Sequence, residues 1–208
     1  MQQESARRSN RDRTEATRTD LIDAARKLFT EKSYAETGTP EIVAAAGVTR
    51  GALYHHFSDK QALFAAVVEQ EAQAVADEID RASPPALDAR DALIAGSDSY
   101  LAAMRAPGRT RLLLLDGPAV LGRAAMDAID NRNGNRSLRE GLVAAMRART
   151  LQKLPAEALT ALLAAAFDRA ALAIEAGGSS EDYRAVLMAL IDGLSTARPQ
   201  APAPARTR

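Results

Sequence analysis

The sequence contains no cysteine, no tryptophan and no excess of either charge. Without cysteine there are no disulfide bonds and no thiolate metal sites. A run of about 18 apolar residues, which a membrane span requires, is missing, and the charged N-terminus lacks the apolar segment of a secretory signal. These absences predict a cytoplasmic protein. The 27 basic and 27 acidic residues balance to a net charge of zero, which gives no indication of a nucleic-acid partner.

What the sequence does contain favours helices. Its 208 residues, 47% hydrophobic and 26% charged, suffice for one or two domains with buried cores. Alanine is abundant and runs of β-branched residues are scarce. Breakers such as Ser83-Pro84-Pro85, Gly117-Pro118 and Gly177-Gly178 separate the segments of helical apolar period. The pattern predicts an all-α protein of about nine or ten helices, with a small three-helix head before a larger helical body.

The pattern divides the chain into four segments. Residues 1–18 are polar and rich in arginine without an apolar period, which indicates a flexible basic arm. Residues 19–65 form the head and residues 66–196 the body, while the Pro, Ala and Arg residues of 197–208 indicate a disordered tail. The predicted helices begin at residue 19 and continue as 40–46, 50–56, 60–81, 86–105, 109–116, 119–130, 137–151, 156–176 and 180–196.

The stretch of residues 42–57 meets the requirements of a helix-turn-helix. Two short helices flank Gly47, which ends the first helix by adopting a positive φ at little cost. Any alanine-rich three-helix cluster would show similar spacing, but a plain bundle has little use for four large rings, at residues 54–57, beside a tight turn. The packing residues are the inward-facing Ile42 and Ala46, the corner residue Val48 and the anchor Leu53.

The outward face of the second short helix carries side chains that suit DNA. Hydroxyl groups donate to phosphates, arginine forks onto a guanine edge or a phosphate, and glycine lets the backbone come close. Lys60, at the start of the next helix, adds a phosphate contact reinforced by that helix's N-terminal dipole. The residues of this face are Thr49, Arg50, Gly51, Tyr54 and His55.

The adjacent His55 and His56 could be taken for metal ligands. Neighbouring residues on a helix point about 100° apart, and no Cys, Asp or Glu partner stands at ligand spacing. The rival interpretation as an enzyme lacks a nucleophile–base pair, a glycine-rich phosphate loop and metal spacing. We therefore expect no metal, no cofactor and no catalytic residue.

Three stretches within residues 19–68 carry a resemblance: LFTEK at 28–32 with Tyr34, EIVAAAGVTRGALYHHF at 41–57, and Lys60 with Leu63-Phe64. They resemble the DNA-binding domain of the TetR/AcrR family of bacterial transcriptional regulators. The resemblance implies a homodimeric, all-helical protein. Its head would bind a palindromic operator, and its variable body would bind a small inducer.

The resemblance also implies which residues contact DNA. Ser33 stands where the family usually has Gly, and Gly38 where it often has a capping Thr or Ser, for which Gly is only a slightly weaker substitute. In the basic arm, Arg18 is best placed to reach a groove or the backbone because it adjoins the first helix. The alternative for the arm is a tail that only solubilises. The implied contacts in the head are Thr37, Thr39, Thr49, Arg50, Gly51, Tyr54, His55, His56 and Lys60.

The last two body helices are apolar on more than one side. Two such helices from each subunit would form a four-helix interface, as the resemblance also implies, and reading a palindrome requires two-fold symmetry. The alternative is that these helices only close the core of their own subunit. The predicted interface residues are Leu159, Leu162, Leu163, Ala166, Tyr183, Leu187, Leu190, Ile191 and Leu194.

Candidates for a ligand pocket lie between the body helices. Tyr100, Met104, Phe167 and Asp168 offer bulk or a polar tip, although each also suits a core or a surface helix. Residues 111–121 resemble a stretch in one subgroup of the family's C-terminal domains. Asp116 within them is a pocket candidate or simply a cap for the next helix.

Together these features predict a ligand-responsive transcriptional regulator. It would bind operator DNA as a homodimer, most often as a repressor, and be released by a small-molecule inducer, with no membrane partner. An architectural or activating DNA-binding protein without an inducer is the alternative.

Overall fold

The computed structural model describes residues 2–84 and 86–196, with side chains from residue 12 onward. Within these ranges the regular elements are helices, accompanied by an isolated antiparallel bridge between Leu151 and Ser195. This confirms the predicted all-α class. None of the helices in the described part is long and apolar enough to cross a membrane. The predicted tail, 197–208, lies outside the described residues.

The helices follow the sequence breakers closely in the head and less closely in the body. In chain order they are α1 (Gln2–Lys32), α2 (Thr39–Ala45), α3 (Arg50–His56), α4 (Lys60–Ala82), α5 (Ala89–Ala103), α6 (Arg109–Arg111), a π-helical segment (Leu112–Asp116), α7 (Gly117–Leu121), α8 (Arg123–Arg132), α9 (Gly134–Arg147), α10 (Ala156–Glu175) and α11 (Ser180–Gly193).

One apolar core holds α1, α2, α3 and the first half of α4 together. The rings of Phe29 and Phe64 meet edge to face with centroids 5.2 Å apart, and Tyr34 lies 4.9 Å from Phe64. Ile42 and Leu53 are fully buried in the same core. Because aromatic pairs prefer this geometry, the cluster adds specific contacts to apolar burial. It fixes the orientation of the helix-turn-helix.

The turn between α2 and α3 has the expected construction. Gly47 adopts a φ of 66°, a left-handed conformation that favours glycine. Val48 donates its N–H to the carbonyl of Val43 at 3.0 Å. The Thr49 hydroxyl then caps α3 by accepting from the N–H of Ala52 at 3.2 Å. The second short helix therefore starts at the residue that the sequence predicts.

The first helix differs from the prediction, because α1 runs back to Gln2 through the segment expected to be a flexible arm. Residues 2–18 contain no proline or glycine and several strong helix formers, including Gln, Glu, Ala and Arg. Once residues 19–32 form a helix against the core, each added residue only propagates it. The lack of an apolar period does not prevent helix formation, because propagation requires no packed face.

The predicted break at Gly117-Pro118 is also wrong. The N–H of Gly117 bonds to the carbonyl of Leu112, five residues earlier, so the chain passes through a π-helical turn and continues as α7. Pro118 then falls in the first turn of α7, where a missing N–H is tolerated. A Cβ on Gly117 would lie 2.9 Å from that carbonyl and from the Met126 sulfur. Glycine thus permits the close approach.

A buried ion network joins the head to the body. Glu71 of α4 is 4% exposed, accepting from Arg26 Nε of α1 at 2.5 Å and from Arg109 Nε of α6 at 2.8 Å. Arg109 also donates to Glu78 at 3.0 Å and to the carbonyl of Ala103 at 2.8 Å. The pKa of Glu71 is lowered although burial would raise it, because both arginines hydrogen-bond to the carboxylate.

Ser33, between α1 and α2, carries strain that a glycine would relieve. Its φ is 89°, which costs a residue with a Cβ about 1 kcal/mol or more. We expect Ser33→Gly to raise the free energy of unfolding, measured by urea denaturation, by about 1 kcal/mol.

The matched control for this substitution is Ser33→Ala. It keeps the Cβ and removes only the hydroxyl, which accepts from the N–H of Glu36 at 3.5 Å. It should give no gain in stability. An equal gain from both variants would show that backbone strain is not the cause.

Candidate functional site

The outward face of α3 presents a compact polar surface. Leu53 anchors the helix from below, while Thr49, Arg50, Gly51 and His55 are exposed. Tyr54 is 44% exposed, which is unusual for a large ring on so short a helix. The structure thus brings the predicted residues of this helix together on one side.

Arg50, Tyr54 and Thr39 form a small interacting group across α2 and α3. The Arg50 guanidinium lies 5.5 Å from the centre of the Tyr54 ring. Hydrogen bonding to Arg50, and then to Thr39, lowers the pKa of Tyr54. These contacts hold the Tyr54 hydroxyl and the Arg50 fork beside each other on the surface, ready to meet a ligand with several acceptors.

Arg18 reaches the C-terminal end of α3. Its guanidinium lies 5.2 Å from the centre of the Phe57 ring, a cation–π contact. His56, at the same end of α3, is half-buried, and its ring centre lies 5.3 Å from that of His55. Burial, His55 and Arg18 lower the pKa of His56. Arg18 therefore extends the basic surface of α3 onto α1.

Two predicted contact residues make hydrogen bonds within the fold. Thr37 is 1% exposed, and its hydroxyl donates to the carbonyl of Ser33 at 2.7 Å, so its side chain is not available to DNA. The Lys60 ammonium donates to the carbonyls of Tyr34 at 2.9 Å and Thr37 at 3.0 Å and lies over the Tyr34 ring. Two of its three donors are thus used in fixing the α1–α2 loop.

Gly38 caps α2 without a side chain. Its carbonyl accepts from the N–H groups of Glu41 at 3.2 Å and Ile42 at 3.3 Å, and its backbone is extended. The helix therefore begins normally, as expected for a glycine cap.

The body encloses a cavity of about 530 Å³. Helices α4, α5, α8, α9 and α10 and the π-helical segment contribute to its lining, which is mainly apolar. Four of the five predicted pocket residues line it: Tyr100, Met104, Phe167 and Asp168. A volume of this size is typical of sites for small organic ligands.

Asp116 is the exception among the predicted pocket residues. It does not line the cavity, and it makes no capping bond to α7. Its carboxylate pairs with Arg111, one turn earlier, at 3.3 Å. The π-helical turn displaces Asp116 from both roles, because the extra residue rotates it away from the cavity.

The polar end of the cavity contains two carboxyl groups and a phenol. The Tyr100 hydroxyl donates to Asp168 Oδ1 at 2.7 Å, and its ring packs edge to face on Phe167. Burial and the neighbouring Asp168 and Asp127 raise the pKa of Asp130 to about 6. Burial likewise raises the pKa of Asp168. Asp130 is missing from the sequence-based candidates because its place at the end of an exposed amphipathic helix resembles an ordinary surface position.

The exposed face of α10 and α11 is apolar. Leu162 is 72% exposed, and Val186 and Leu190 are more than 40% exposed. Alanines at positions 158, 161, 165, 185 and 189 surround them. The face thus presents apolar side chains to solvent, and homodimer interfaces are likewise more apolar than the rest of a protein surface.

Part of the predicted interface set lies inside the subunit instead. Leu163, Leu187 and Ile191 are buried in the core of their own chain, together with Leu142 and Phe167. Leu159, Ala166, Tyr183 and Leu194 are partly buried and pack against the same core. Helical period alone did not separate these inward positions from the outward ones, because both faces are apolar.

No group of three or more His, Cys, Asp or Glu residues in the described part of the chain could hold a metal ion. The rings of the two histidines of α3 meet edge to face, with centroids 5.3 Å apart.

Two protein-family models match the chain. Residues 21–67 match the model described as bacterial regulatory proteins, tetR family, and residues 90–196 match the model described as tetracyclin repressor-like, C-terminal domain. Together the two matches span the helix-turn-helix and nearly all of the body after α4.

A solved structure of a TetR-family transcriptional regulator from Pectobacterium atrosepticum is 32% identical to the chain. The superposition has a TM-score of 0.72 and covers 89% of this chain and 97% of that one. This similarity covers both the helix-turn-helix and the body.

Curated relatives match over a shorter stretch. The HTH-type transcriptional regulator AcrR of Shigella flexneri is 42% identical over 62 residues, 30% of this chain and 29% of that protein. An HTH-type transcriptional repressor of Mycobacterium tuberculosis is 37% identical over 65 residues, 31% of this chain and 35% of that protein. The chain therefore spans about a third of the length of the curated relatives it matches.

The raised pKa of Asp130 predicts a stability cost that depends on pH. At pH values between 3.8, the ordinary pKa of the aspartate, and about 6, the folded state binds the Asp130 proton more tightly than the unfolded state does. The folded state is therefore destabilised as pH rises through this window. We expect Asp130→Asn to be more stable than the unsubstituted protein at pH 7 by about 1–2 kcal/mol, a figure reduced for partial exposure.

This gap should narrow as the pH falls to about 4 and close below the ordinary pKa of 3.8, where the carboxyl is protonated in both states. Urea denaturation at a series of pH values measures it. Asp20→Asn is the control, because Asp20 is exposed on α1 and is not among the groups that raise the pKa of Asp130. A gap that stays constant across the pH range would contradict the assignment.

Proposed function

Because the chain belongs to the TetR family of bacterial regulatory proteins, we propose that it is a DNA-binding transcriptional regulator acting as a ligand-released repressor. The observation that carries this proposal is the exposed polar surface of α3, held from below by the buried Leu53. TetR-family regulators are not enzymes. Its place of action would be the cytoplasm, where bacterial operators lie.

The surface of α3 supports sequence-specific recognition. The Arg50 fork suits a guanine edge or a phosphate, and the hydroxyl groups of Thr39, Thr49 and Tyr54 suit phosphates. Gly51 leaves open space, since a Cβ there would meet only the Thr49 hydroxyl at 3.8 Å. Its role is therefore to let the helix approach DNA closely, and not to avoid a clash within the protein.

The apolar face of α10 and α11 supports a homodimer. Leu162, Val186 and Leu190 would be buried against the same residues of a second copy in a two-fold, self-complementary contact. A two-fold dimer presents two α3 helices to half-sites about 34–36 Å apart, which requires a palindromic operator.

The cavity supports release by a ligand. Leu113 and Leu114 of the π-helical segment line it, and they follow Arg109 by one turn. Arg109 bonds to Glu71, which bonds to Arg26 of α1 in the head. A ligand that displaces the π-helical segment would shift this network and with it the spacing of the two heads, a coupling of about 1–3 kcal/mol in typical cases.

Substitution of the recognition surface tests DNA binding. We expect Arg50→Ala to weaken binding to the promoter fragment that the unsubstituted protein binds by at least about tenfold, and to reduce the preference for this fragment over one of unrelated sequence, because one base or phosphate contact is lost. Electrophoretic mobility shift against a fragment of the chain's own promoter region measures both.

Arg147→Ala is the matched control, since it removes the same charge from an exposed position on α9 in the body. Equal weakening by both variants would indicate unspecific attraction and favour an architectural DNA binder. Failure of the unsubstituted protein to shift any fragment at low salt would contradict the proposal.

Substitution of the apolar face tests the dimer. We expect Leu162→Glu and Leu190→Glu to yield folded monomers in sedimentation analysis, because each places a charge in the centre of the contact. The affinity of these two variants for operator DNA should fall as well, although the residues of α3 are unchanged.

Leu115→Glu serves as the control, because Leu115 is 50% exposed but lies outside α10 and α11. Dimers that persist in both interface variants would place the contact elsewhere.

A further inference from the structure

The cavity has one chemical feature that a general inducer site does not require. Each charged residue among those lining it is acidic: Asp80, Asp130, Glu140 and Asp168. Lysine, arginine and histidine are absent from this lining. The remaining wall is mostly aliphatic or aromatic, so the cavity combines an apolar interior with charge of one sign.

The four acidic groups are not equivalent. Asp80 and Glu140 share Arg136, at 2.9 Å and 3.4 Å, so one positive charge within the protein offsets one of their two negative charges. Asp168 accepts the Tyr100 hydroxyl, which is neutral. Asp130 has no hydrogen bond or ion pair to its carboxylate among the described contacts. The inner pair of carboxyl groups, Asp130 and Asp168, therefore has no neutralising partner.

The charges around this pair come from several elements. Asp168 on α10 and Asp127 on α8 both add negative charge near Asp130 and disfavour its ionisation. Arg123, an exposed residue of α8 outside the lining, is the opposing cation. Its influence is too small to reverse the effect of burial on either carboxyl group. An added positive charge inside the cavity would therefore be strongly favoured.

A third polar group among the lining residues lacks a partner within the described residues, and its hydroxyl can accept from a positively charged head as well as donate. The Ser137 hydroxyl of α9, which also lines the cavity, is buried without a hydrogen-bond partner in the described part of the chain. Buried polar atoms normally have partners, and an unpaired one costs about 1–3 kcal/mol. A ligand with donors on a positively charged head would satisfy Ser137 and the two carboxyl groups together.

From this arrangement we infer that the cavity binds an apolar organic cation, a molecule whose aliphatic or aromatic body carries one protonated amine. The amine would lie at Asp130 and Asp168, and the body against Leu113, Leu138 and Phe167. A metal ion does not fit, because the described residues contain no group of three or more His, Cys, Asp or Glu that could hold one, and the rest of this lining is mainly apolar. This inference rests on the proposed function in so far as the cavity is the inducer site.

A matched series of probes tests the charge preference. The probes are 4-phenylbutylammonium, 4-phenylbutan-1-ol and 4-phenylbutanoate, which share one apolar body and differ in the charge of the head. Isothermal titration calorimetry on the full chain at pH 7.5 should show that the ammonium binds at least about tenfold more tightly than the alcohol, with the carboxylate weakest. Equal affinities, tighter binding of the carboxylate or no binding of the ammonium would overturn the inference.

Substitutions locate the preference within the cavity. Asp130→Asn and Asp168→Asn keep the side-chain shape, and the amide oxygen that the second substitution introduces can still accept from the Tyr100 hydroxyl. Each should abolish most of the preference for the ammonium over the alcohol while leaving alcohol affinity nearly unchanged, which also reports that the cavity is intact. Asp127→Asn, on the same helix as Asp130 but outside the lining, should keep the preference. A preference that survives both cavity variants would overturn the assignment.

Operator binding without ligand separates this inference from the proposed function. A protein that binds its operator but does not discriminate among the probes would refute only the cationic ligand. A protein that prefers the ammonium but shifts no operator fragment would refute only the regulatory role.

Discussion

The buried carboxylate of Glu71 is the interaction on which the arrangement of head and body depends. It lies on α4, the helix shared by both parts, and it needs both Arg26 from the head and Arg109 from the body to compensate its burial. Removing one partner of a buried ion pair costs far more than the pair contributes, because an uncompensated charge remains. The network therefore adds little to the free energy of folding, but it fixes the positions of α1, α4 and α6 relative to one another.

This constraint gives the two candidate sites a common support. The first half of α4 packs in the head core through Leu63 and Phe64, and its second half lines the cavity through Val75 and Ile79. About one helical turn after Arg109, the chain already forms part of the cavity wall. A change in the cavity wall therefore occurs close to the bond between Arg109 and Glu71, which fixes the head. No long series of intermediate contacts separates the two.

Local chemistry made the helix-turn-helix predictable from sequence, whereas long-range packing decided what was missed. The roles of Gly47, Thr49 and Leu53 depend on residues only a few positions away in the sequence, so the spacing alone predicts them. The burial of Thr37 and the bonds of Lys60 to the loop after α1 could not be predicted, because both depend on how that loop folds back onto α4. Asp130 was missed for the same reason, since only the packing of α8 against α4 and α9 encloses it.

The polar groups that support the fold differ from those of the cavity in whether they have partners within the chain. Thr37, Lys60, Glu71 and Arg109 all have partners within the chain, as buried polar groups require. In the cavity, Asp130 and Ser137 are kept without partners at a cost in stability. Asp116, Asn133 and Ser195 also carry a buried oxygen without a hydrogen-bond partner in the described part of the chain, so the missing partners support a ligand here only together with the acidic lining of the cavity. The zero net charge is consistent with this, because recognition depends on a few uncompensated groups and not on the total charge.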